Sequence, residues 1–526
     1  MKKKFHSLIL QESIMLILGK GTDRSYKTIL GEYIRSRLWL LLLGITCELV
    51  YLVYLLQAFP VMRYFKKVTL MGSMTKHSLA SALTFLIVFT FLFVLFGLAW
   101  WQARRFQDRG TLWIILGFGS IFALTTTFVY PIVSVDVFLY IARSLIMVQY
   151  HANPLITPSD HFATDALMMK LTRGFTHLSS PYGPLCLLIQ ALPVMIAGRN
   201  ILVSLLLTKI MFSAMLIASA FFVYKILSQI APRFALSGAL ALAWNPFALF
   251  LYSVNSHNDI AMMFFVVLAI FALVKKHPAW AMGLLTASAL IKFASLVLIP
   301  LFFIYSFSHQ STRPKRLLYT IQASIISLAL IIDSFAPFWA GLQTLQRFFE
   351  QIKYQRYSFN IFLHYFSSGS ISSDQAKMLG LVLFGVCFLY ALWLSSRDFA
   401  SLLKGCFITM FALLALSVTY VQPWYLIWPF MLAILIPQTE MSRAAMLIAY
   451  VGAQAGLVRQ YIFPWADAHH LHISASINSM VYVTFFLPST LVWIAPRFRQ
   501  ILSQSYLALC TQMKRGPIVI PRNIEP

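Results

Sequence analysis

Acidic side chains are scarce: 16 Asp and Glu stand against 41 Lys and Arg in 526 residues, and charged residues of both signs make up only 11% of the chain. With 60% apolar residues and a mean hydropathy of +0.77, there is too little polar material to clothe several water-soluble domains, so an all-α polytopic membrane protein is expected. Cysteine is equally sparse. Cys47, Cys186, Cys387, Cys406 and Cys510 show no CxxC spacing, which removes a zinc ribbon and a disulfide framework from consideration. The sequence also lacks GxxxxGK[ST], a GxGxxG after a strand, HExxH and GxSxG. Nucleotide-driven pumping, dinucleotide chemistry, zinc proteolysis and elbow-type serine hydrolysis lose their support with them.

The formal charge of +25 would suggest a nucleic-acid partner in a soluble protein. Most of the excess lies in short loops between apolar runs, where basic residues retain a loop on the cytoplasmic side. Charge therefore reports orientation, and neither a nucleic acid nor a nucleotide is expected as a partner. Lys2, Lys3, Lys4, Lys20, Arg24, Lys27 and Arg35 mark residues 1–36 as a cytoplasmic, interfacial segment rather than a cleaved signal. Leu38 to Leu56 then exits, Ala80 to Trp101 returns to Arg104, Arg105 and Arg109, and Thr111 to Ser134 exits again. The loop from Ala58 to Ser78 breaks the rule, because Arg63, Lys66, Lys67 and Lys76 would be external.

Parity fails further on if every apolar run crosses once. With Gly183 to Gly198 going in, Arg233, Lys275 and Lys276 fall inside only if Ile201 to Leu227 and Ala279 to Tyr305 are each a hairpin of two short helices. One helix of that length would reach about 40 Å. The hairpin also lifts Lys292 out of mid-membrane, where insertion costs about 2.5–3.5 kcal/mol; one long tilted helix is the alternative. Later basic groups (Arg313, Lys315 and Arg316; Arg397 and Lys404; Arg443; Arg497 and Arg499) then all lie inside. The expected total is about 14 to 16 membrane helices, with both termini cytoplasmic in the plasma (inner) membrane. Expected segments are 1–36, two accessory helices over 37–110, a catalytic membrane core over 111–338 with an outer loop at 135–182, a second outer loop at 339–376, helices over 377–496 and a basic cytoplasmic tail at 497–526.

Eight acids, including Asp136, Asp160, Asp165 and Asp259, map to the outer face, and Asp136 and Asp259 sit where an apolar helix meets it. Desolvation there is expected to raise a carboxyl pKa and make a better base. Position alone supports a helix cap equally well for Asp136. Tyr140 and Arg143 follow on the same helical face, Asn153 and Pro154 form a turn, and Tyr182, Gly183 and Pro184 mark a rigid re-entry. The string NSHND brings Asn255, His257, Asn258 and Asp259 to a second rim. VQPWYLIW brings Trp424, Tyr425 and Trp428 to a third, as an interfacial aromatic belt or a sugar-stacking surface.

This order of an Asp after an early span, an NP turn, a YGP re-entry, an outer HND, a Lys in an ALIK run and a late QPWY resembles the GT-C glycosyltransferases, and is most similar to bacterial polyprenyl-phosphate-mannose-dependent mannosyltransferases. The resemblance runs from about Thr111 to Trp428. It implies an extracytoplasmic site, a polyprenyl-phosphate sugar donor, a glycan or lipid acceptor and inverting transfer of a hexose. Residue by residue, it implies that Asp136 is the general base and Lys292 the donor-phosphate cation, with Arg143 as a second phosphate ligand. His257, Asn258 and Asp259 would line the sugars with Tyr140 and Asn153, and Tyr182, Trp424 and Tyr425 would be walls. Many relatives carry two adjacent acids in the first loop, whereas Val135 and Val137 flank Asp136, so no metal is expected and no cofactor is implied. Leu155 replaces the usual aromatic after the NP turn. The alternatives from the residues alone are a secondary transporter or flippase, whose polar groups would sit near the midplane, and a glycan polymerase or ligase working through Arg347, Lys353, Arg356 and His364.

Overall fold

A computed structural model describes residues 23–345, 355–471 and 473–492, with side chains from Arg37 onward. The basic tail with Arg497, Arg499 and Cys510, the first 22 residues, and Arg347 and Lys353 lie outside the described residues. Among the described residues helices dominate, and β-pairing is limited to isolated bridges such as Pro60 with Val129 and Arg356 with Tyr420. Ten helices are long and apolar enough to cross a membrane. This agrees with the all-α polytopic expectation.

The elements follow from apolar runs bounded by polar caps. Helix α1 (Asp23–Val50) continues as a π-turn to Leu56, α2 spans Leu79–Ala103 and α3 spans Arg109–Thr127. Asp108 caps α3 by accepting from the Thr111 amide and pairs with Arg37. Short α4 (Asp136–Val148) and α5 (Pro184–Ala197) precede α6 (Ile201–Ile230), which Asn200 caps. Next come α7 (Pro232–Val254), α8 (Asp259–Val274), α9 (Pro278–Ile291) and α10 (Phe293–Ser308). The chain ends with α11 (Arg313–Phe335), α12 (Ser373–Ser395), α13 (Phe399–Ala412), α14 (Pro423–Ile434), α15 (Glu440–Leu457) and α16 (Ser474–Val492).

Two faces are distinguished by their cross-links. On one, Pro60 bridges Val129, Met71 N donates to Ile132 O, and Gly72 N donates to Gln460 Oε1. Asp136, Asp259 and Lys292 belong to this face. The 61–77 loop with its four basic residues lies on the same side, as the sequence required. On the opposite face Lys275 Nζ reaches Gln229 at 3.5 Å, and burial together with repulsion from Arg443 and Arg233 lowers the pKa of Arg104.

Two expectations are corrected. Ile201–Ile230 is one continuous helix of 30 residues, not a hairpin. Helix α5 does not cross: Gly183, before its start, donates to Ile291 O beside Lys292, while Arg199, past its end, bonds Gln149 and Asp165 in the loop after α4. Lys209, early in α6, contacts the carbonyl ends of α3 and α7, so α6 also starts on that face. The second long run does break, at Lys292, whose extended backbone (φ −149°, ψ 120°) separates α9 from the 3-10 turn that opens α10. The expected loop at 135–182 begins with α4, in which Val137 to Ile146 are all buried.

Candidate active site

Four chain segments meet at one end of the bundle. The first is the start of α4, where Asp136 is the first helical residue and its amide donates to Ser134 Oγ at 3.2 Å. Val135 holds the cap position without a side-chain capping bond, so the carboxylate of Asp136 faces its surroundings instead of its own helix. His257 Nδ1 lies 3.4 Å from Asp136 Oδ2, with the imidazole fully buried and the carboxylate side chain 22% exposed.

Burial alone would raise the pKa of Asp136, as the sequence suggested, but the direction is reversed. His257, then Ser134 and Arg459, favour the anion strongly enough to hold the carboxyl below its usual range. The group is therefore ionised throughout neutral pH. Arg459 comes from the π-turn after α15, a contributor that no local pattern around Asp136 could reveal.

The second segment is the 255–259 turn. Asn255 Oδ1 accepts from Val133 N at 2.9 Å and Asn255 Nδ2 donates to Phe250 O at 2.8 Å, which ties this turn to the Asp136 segment. Ser256 is left-handed at φ +57°, a conformation that a non-glycine residue holds only where its surroundings enforce it. Asn258 Nδ2 donates to Cys186 Sγ at 3.2 Å. Asp259 opens α8 with no exposed surface, and its Oδ1 accepts from Lys292 Nζ and from Trp428 Nε1, both at 2.7 Å.

Lys292 occupies the third segment, the break after α9. Its ammonium lies 4.0 Å from the ring centroid of Tyr425 and 5.3 Å from that of Trp428, a cation–π seat that also lowers its desolvation cost. The re-entry before α5 packs directly against this break. Gly183 has no room for a side chain, because a Cβ there would stand 2.0 Å from Leu290 O. Tyr182 is thereby fixed edge-on to Tyr140, with ring centroids 5.4 Å apart, and 5.6 Å from the Arg143 guanidinium. Acid, phenol and guanidinium do converge as their helical spacing predicts.

The fourth segment is the 422–428 stretch. Trp424 stacks on His257 with centroids 3.7 Å apart and planes 13° off parallel, and Tyr425 stacks on Trp428 at 4.7 Å. Trp424 and Trp428 are buried, so the interfacial-belt reading fails for them, and they pack against His257, Asp259 and Lys292. Asn153 is placed elsewhere: its Nδ2 donates to Phe338 O at 2.6 Å and its Oδ1 accepts from Leu155 N, a brace for the long loop. Arg356 pairs through its backbone with Thr419 and Val421, and the His364 side chain bonds Ile371 O through Nδ1.

Sequence reasoning missed Lys209. It is fully buried in α6 and donates to Val129 O at 2.7 Å and to Val254 O, joining the segments that lead to Asp136 and to His257. Its signal was a lysine early in an otherwise apolar helix. Buried polar side-chain atoms without a hydrogen-bond partner occur at several places among the described residues, and five of them gather here: Tyr140 Oη, Ser256 Oγ, His257 Nε2, Asn258 Oδ1 and Asp259 Oδ2. Buried polar groups are almost always satisfied, so such a concentration marks where a polar ligand belongs. Among the described residues no three His, Cys, Asp or Glu side chains are grouped to hold a metal ion.

A family model described as "Alpha-(1->6)-mannopyranosyltransferase, N-terminal domain", for MptA and MptB, matches residues 42–308, and the "MptB C-terminal domain" model matches residues 359–455. No curated protein matches the chain. The first match contains Asp136, His257, Asp259 and Lys292, and the second contains Trp424, Tyr425 and Trp428.

Proposed function

The chain belongs to the alpha-(1->6)-mannopyranosyltransferase family of membrane proteins, and from that premise we propose that it moves mannose from a polyprenyl-phosphate carrier to a hydroxyl of a glycan or lipid acceptor at the extracytoplasmic face. The observation that carries this reading is the cluster of buried, unsatisfied polar atoms around Asp136, His257, Asp259 and Lys292 at the end of an apolar bundle. A lipid carrier can leave its chain in the bilayer while its phosphate-linked sugar enters such a site. Basic residues around Arg104, Arg233 and Arg443 on the opposite face support the orientation.

Asp136 is the base in this reading. Asp259 has its Oδ1 occupied by Lys292 and Trp428 and is fully buried, whereas Asp136 is partly exposed and ionised. The acceptor O–H bond breaks with its proton passing to Asp136, and the acceptor oxygen bonds to the anomeric carbon from the face opposite the phosphate. The bond from the anomeric carbon to the phosphate oxygen breaks with its electron pair leaving on polyprenyl phosphate, so the configuration inverts. Lys292 and Arg143 stabilise that departing charge. Free Asp259 Oδ2 and Asn258 Oδ1 accept from sugar hydroxyls.

The test is transfer from radiolabelled polyprenyl-phosphate mannose to a membrane lipid extract by purified protein, with Asp136→Asn alongside. Mannosyl transfer by the wild type and its loss in the variant support the reading; folded wild type that transfers nothing from any polyprenyl-phosphate sugar sinks it.

A further inference from the structure

The loop between α1 and α2 carries Arg63, Lys66, Lys67 and Lys76, and from Ala58 to Ser78 it holds no Asp or Glu. All four cations are exposed, and none of them forms an ion pair among the described residues. Elsewhere acids answer such bases: Asp108 pairs with Arg37, Asp165 with Arg199 and Glu440 with Arg443. Here the cations lie against rings of the loop itself. Arg63 and Lys67 stand 5.5 and 5.3 Å from the Tyr64 centroid, and Lys66 stands 5.5 Å from that of Phe65.

The loop is nonetheless fixed to the bundle through its backbone. Thr69 N donates to Tyr130 Oη at 2.9 Å, Met71 N to Ile132 O at 2.7 Å and Gly72 N to Gln460 Oε1 at 3.1 Å. A Cβ at Gly72 would stand 2.3 Å from Gln460 O, so the chain is clamped down at that point. Val68, a β-branched residue, is left-handed at φ +44°, a conformation kept only under constraint. Tyr64 meets Tyr130 at 6.0 Å and Tyr130 meets Phe138 at 5.8 Å, which carries the packing from the patch to the helix of Asp136.

Exposed apolar side chains accompany the cations: Met62 beside Arg63, and Leu79 three residues past Lys76. Leu79 opens α2, one of the helices long and apolar enough to cross a membrane. The patch therefore stands at the end of a span. A soluble polyanion would leave Met62 and Leu79 in water, and a zwitterionic lipid would leave the cations without a net countercharge. An anionic phospholipid answers both, with its phosphate on the bases and its acyl chains beside the apolar groups.

We infer that the 61–76 loop is a docking surface for anionic phospholipid headgroups of the leaflet on the Asp136 face, and that it seats this end of the bundle at headgroup level. The patch stands on its own geometry; only its assignment to the extracytoplasmic leaflet rests on the proposed orientation.

The test is photo-crosslinking of the purified full-length protein in phosphatidylcholine nanodiscs doped with a photoactivatable phosphatidylglycerol or with the matching phosphatidylcholine probe, the label being mapped by mass spectrometry. The phosphatidylglycerol probe should label residues 61–79 of the wild type in preference to the phosphatidylcholine probe. Its half-maximal mole fraction should rise about fivefold for each cation removed in the triple variant Arg63→Gln, Lys66→Gln, Lys67→Gln, and should rise with salt in the wild type. The charge-preserving triple variant Arg63→Lys, Lys66→Arg, Lys67→Arg should label like the wild type, which separates loss of charge from loss of fold. Equal labelling by the two probes, or a neutralised variant that labels like the wild type, overturns the proposal. Displacement of the label by inorganic phosphate or by a short-chain polyprenyl phosphate, but not by unlabelled phosphatidylglycerol, assigns the patch to a free anion or to the carrier and also overturns it. Preferential labelling of a wild type that transfers no mannose keeps the lipid surface and removes the transferase reading alone.

Discussion

Lys292 and Asp259 meet at 2.7 Å across the two ends of one antiparallel helix pair: Asp259 is the first residue of α8 and Lys292 the residue that ends α9. The carboxylate is fully buried and the lysine side chain 15% exposed. Removing either partner strands the other, which costs roughly 3–5 kcal/mol for a buried pair. Lys292→Met and Asp259→Asn should each lower the thermal stability of the purified protein and abolish transfer. The double variant should be more stable than the sum of the single losses predicts. A strictly additive double-mutant cycle would show that the pair is not coupled.

Asp136→Asn keeps the shape of the side chain and removes its basicity. Transfer should fall by about a hundredfold or more at unchanged thermal stability. Near-wild-type turnover would reduce Asp136 to a structural group.

The depressed pKa of Asp136 sets a pH window. A carboxyl whose folded pKa lies below its unfolded value, about 3.9, is ionised above that value and loses its charge, with the stability the charge confers, as pH falls through the folded pKa. Transfer should therefore be level from neutral pH down to the mid-acidic range, with any Asp136 limb below it. His257→Gln withdraws the largest influence favouring the anion and should move that limb to higher pH. A limb that stays put in the variant would mean His257 does not act on Asp136.

Lys209 has no carboxylate among its bonded partners, only Val129 O and Val254 O. Lys209→Met leaves two buried carbonyls unsatisfied, at about 1–3 kcal/mol each, and removes one of the ties between the Asp136 segment and the His257 turn, leaving that of Asn255. Transfer should drop through kcat, with Lys209→Arg recovering part of it. A Met variant with wild-type kcat would show that Asn255 alone holds the two segments together.

The run lengths, the caps and the polar rims carried most of the fold in the sequence. Lys292 announced its own helix break because a lone lysine in an apolar run is costly at mid-membrane. Helix α5 was misread because 14 apolar residues ending in Gly198 look like a short span, and only the bonds of Arg199 to Gln149 and Asp165 show that it returns to the same side. Taking α6 as a hairpin compensated for that error, so Arg233 still falls opposite Asp259. What stayed hidden depends on residues distant in sequence. The pKa direction of Asp136 rests first on His257, with Arg459 the smallest contributor, and the burial of Trp424 needs the same imidazole lying against it.

Gly183 joins two parts of the site that the sequence sets more than a hundred residues apart. Its amide bonds Ile291 O, and its missing side chain lets Leu290 O approach. Tyr182 and Lys292 are consequently seated on the same backbone contact. Gly183→Ala would push both at once, and a tyrosine-based spectroscopic signal should report movements of the lysine that no probe on the lysine is needed to see.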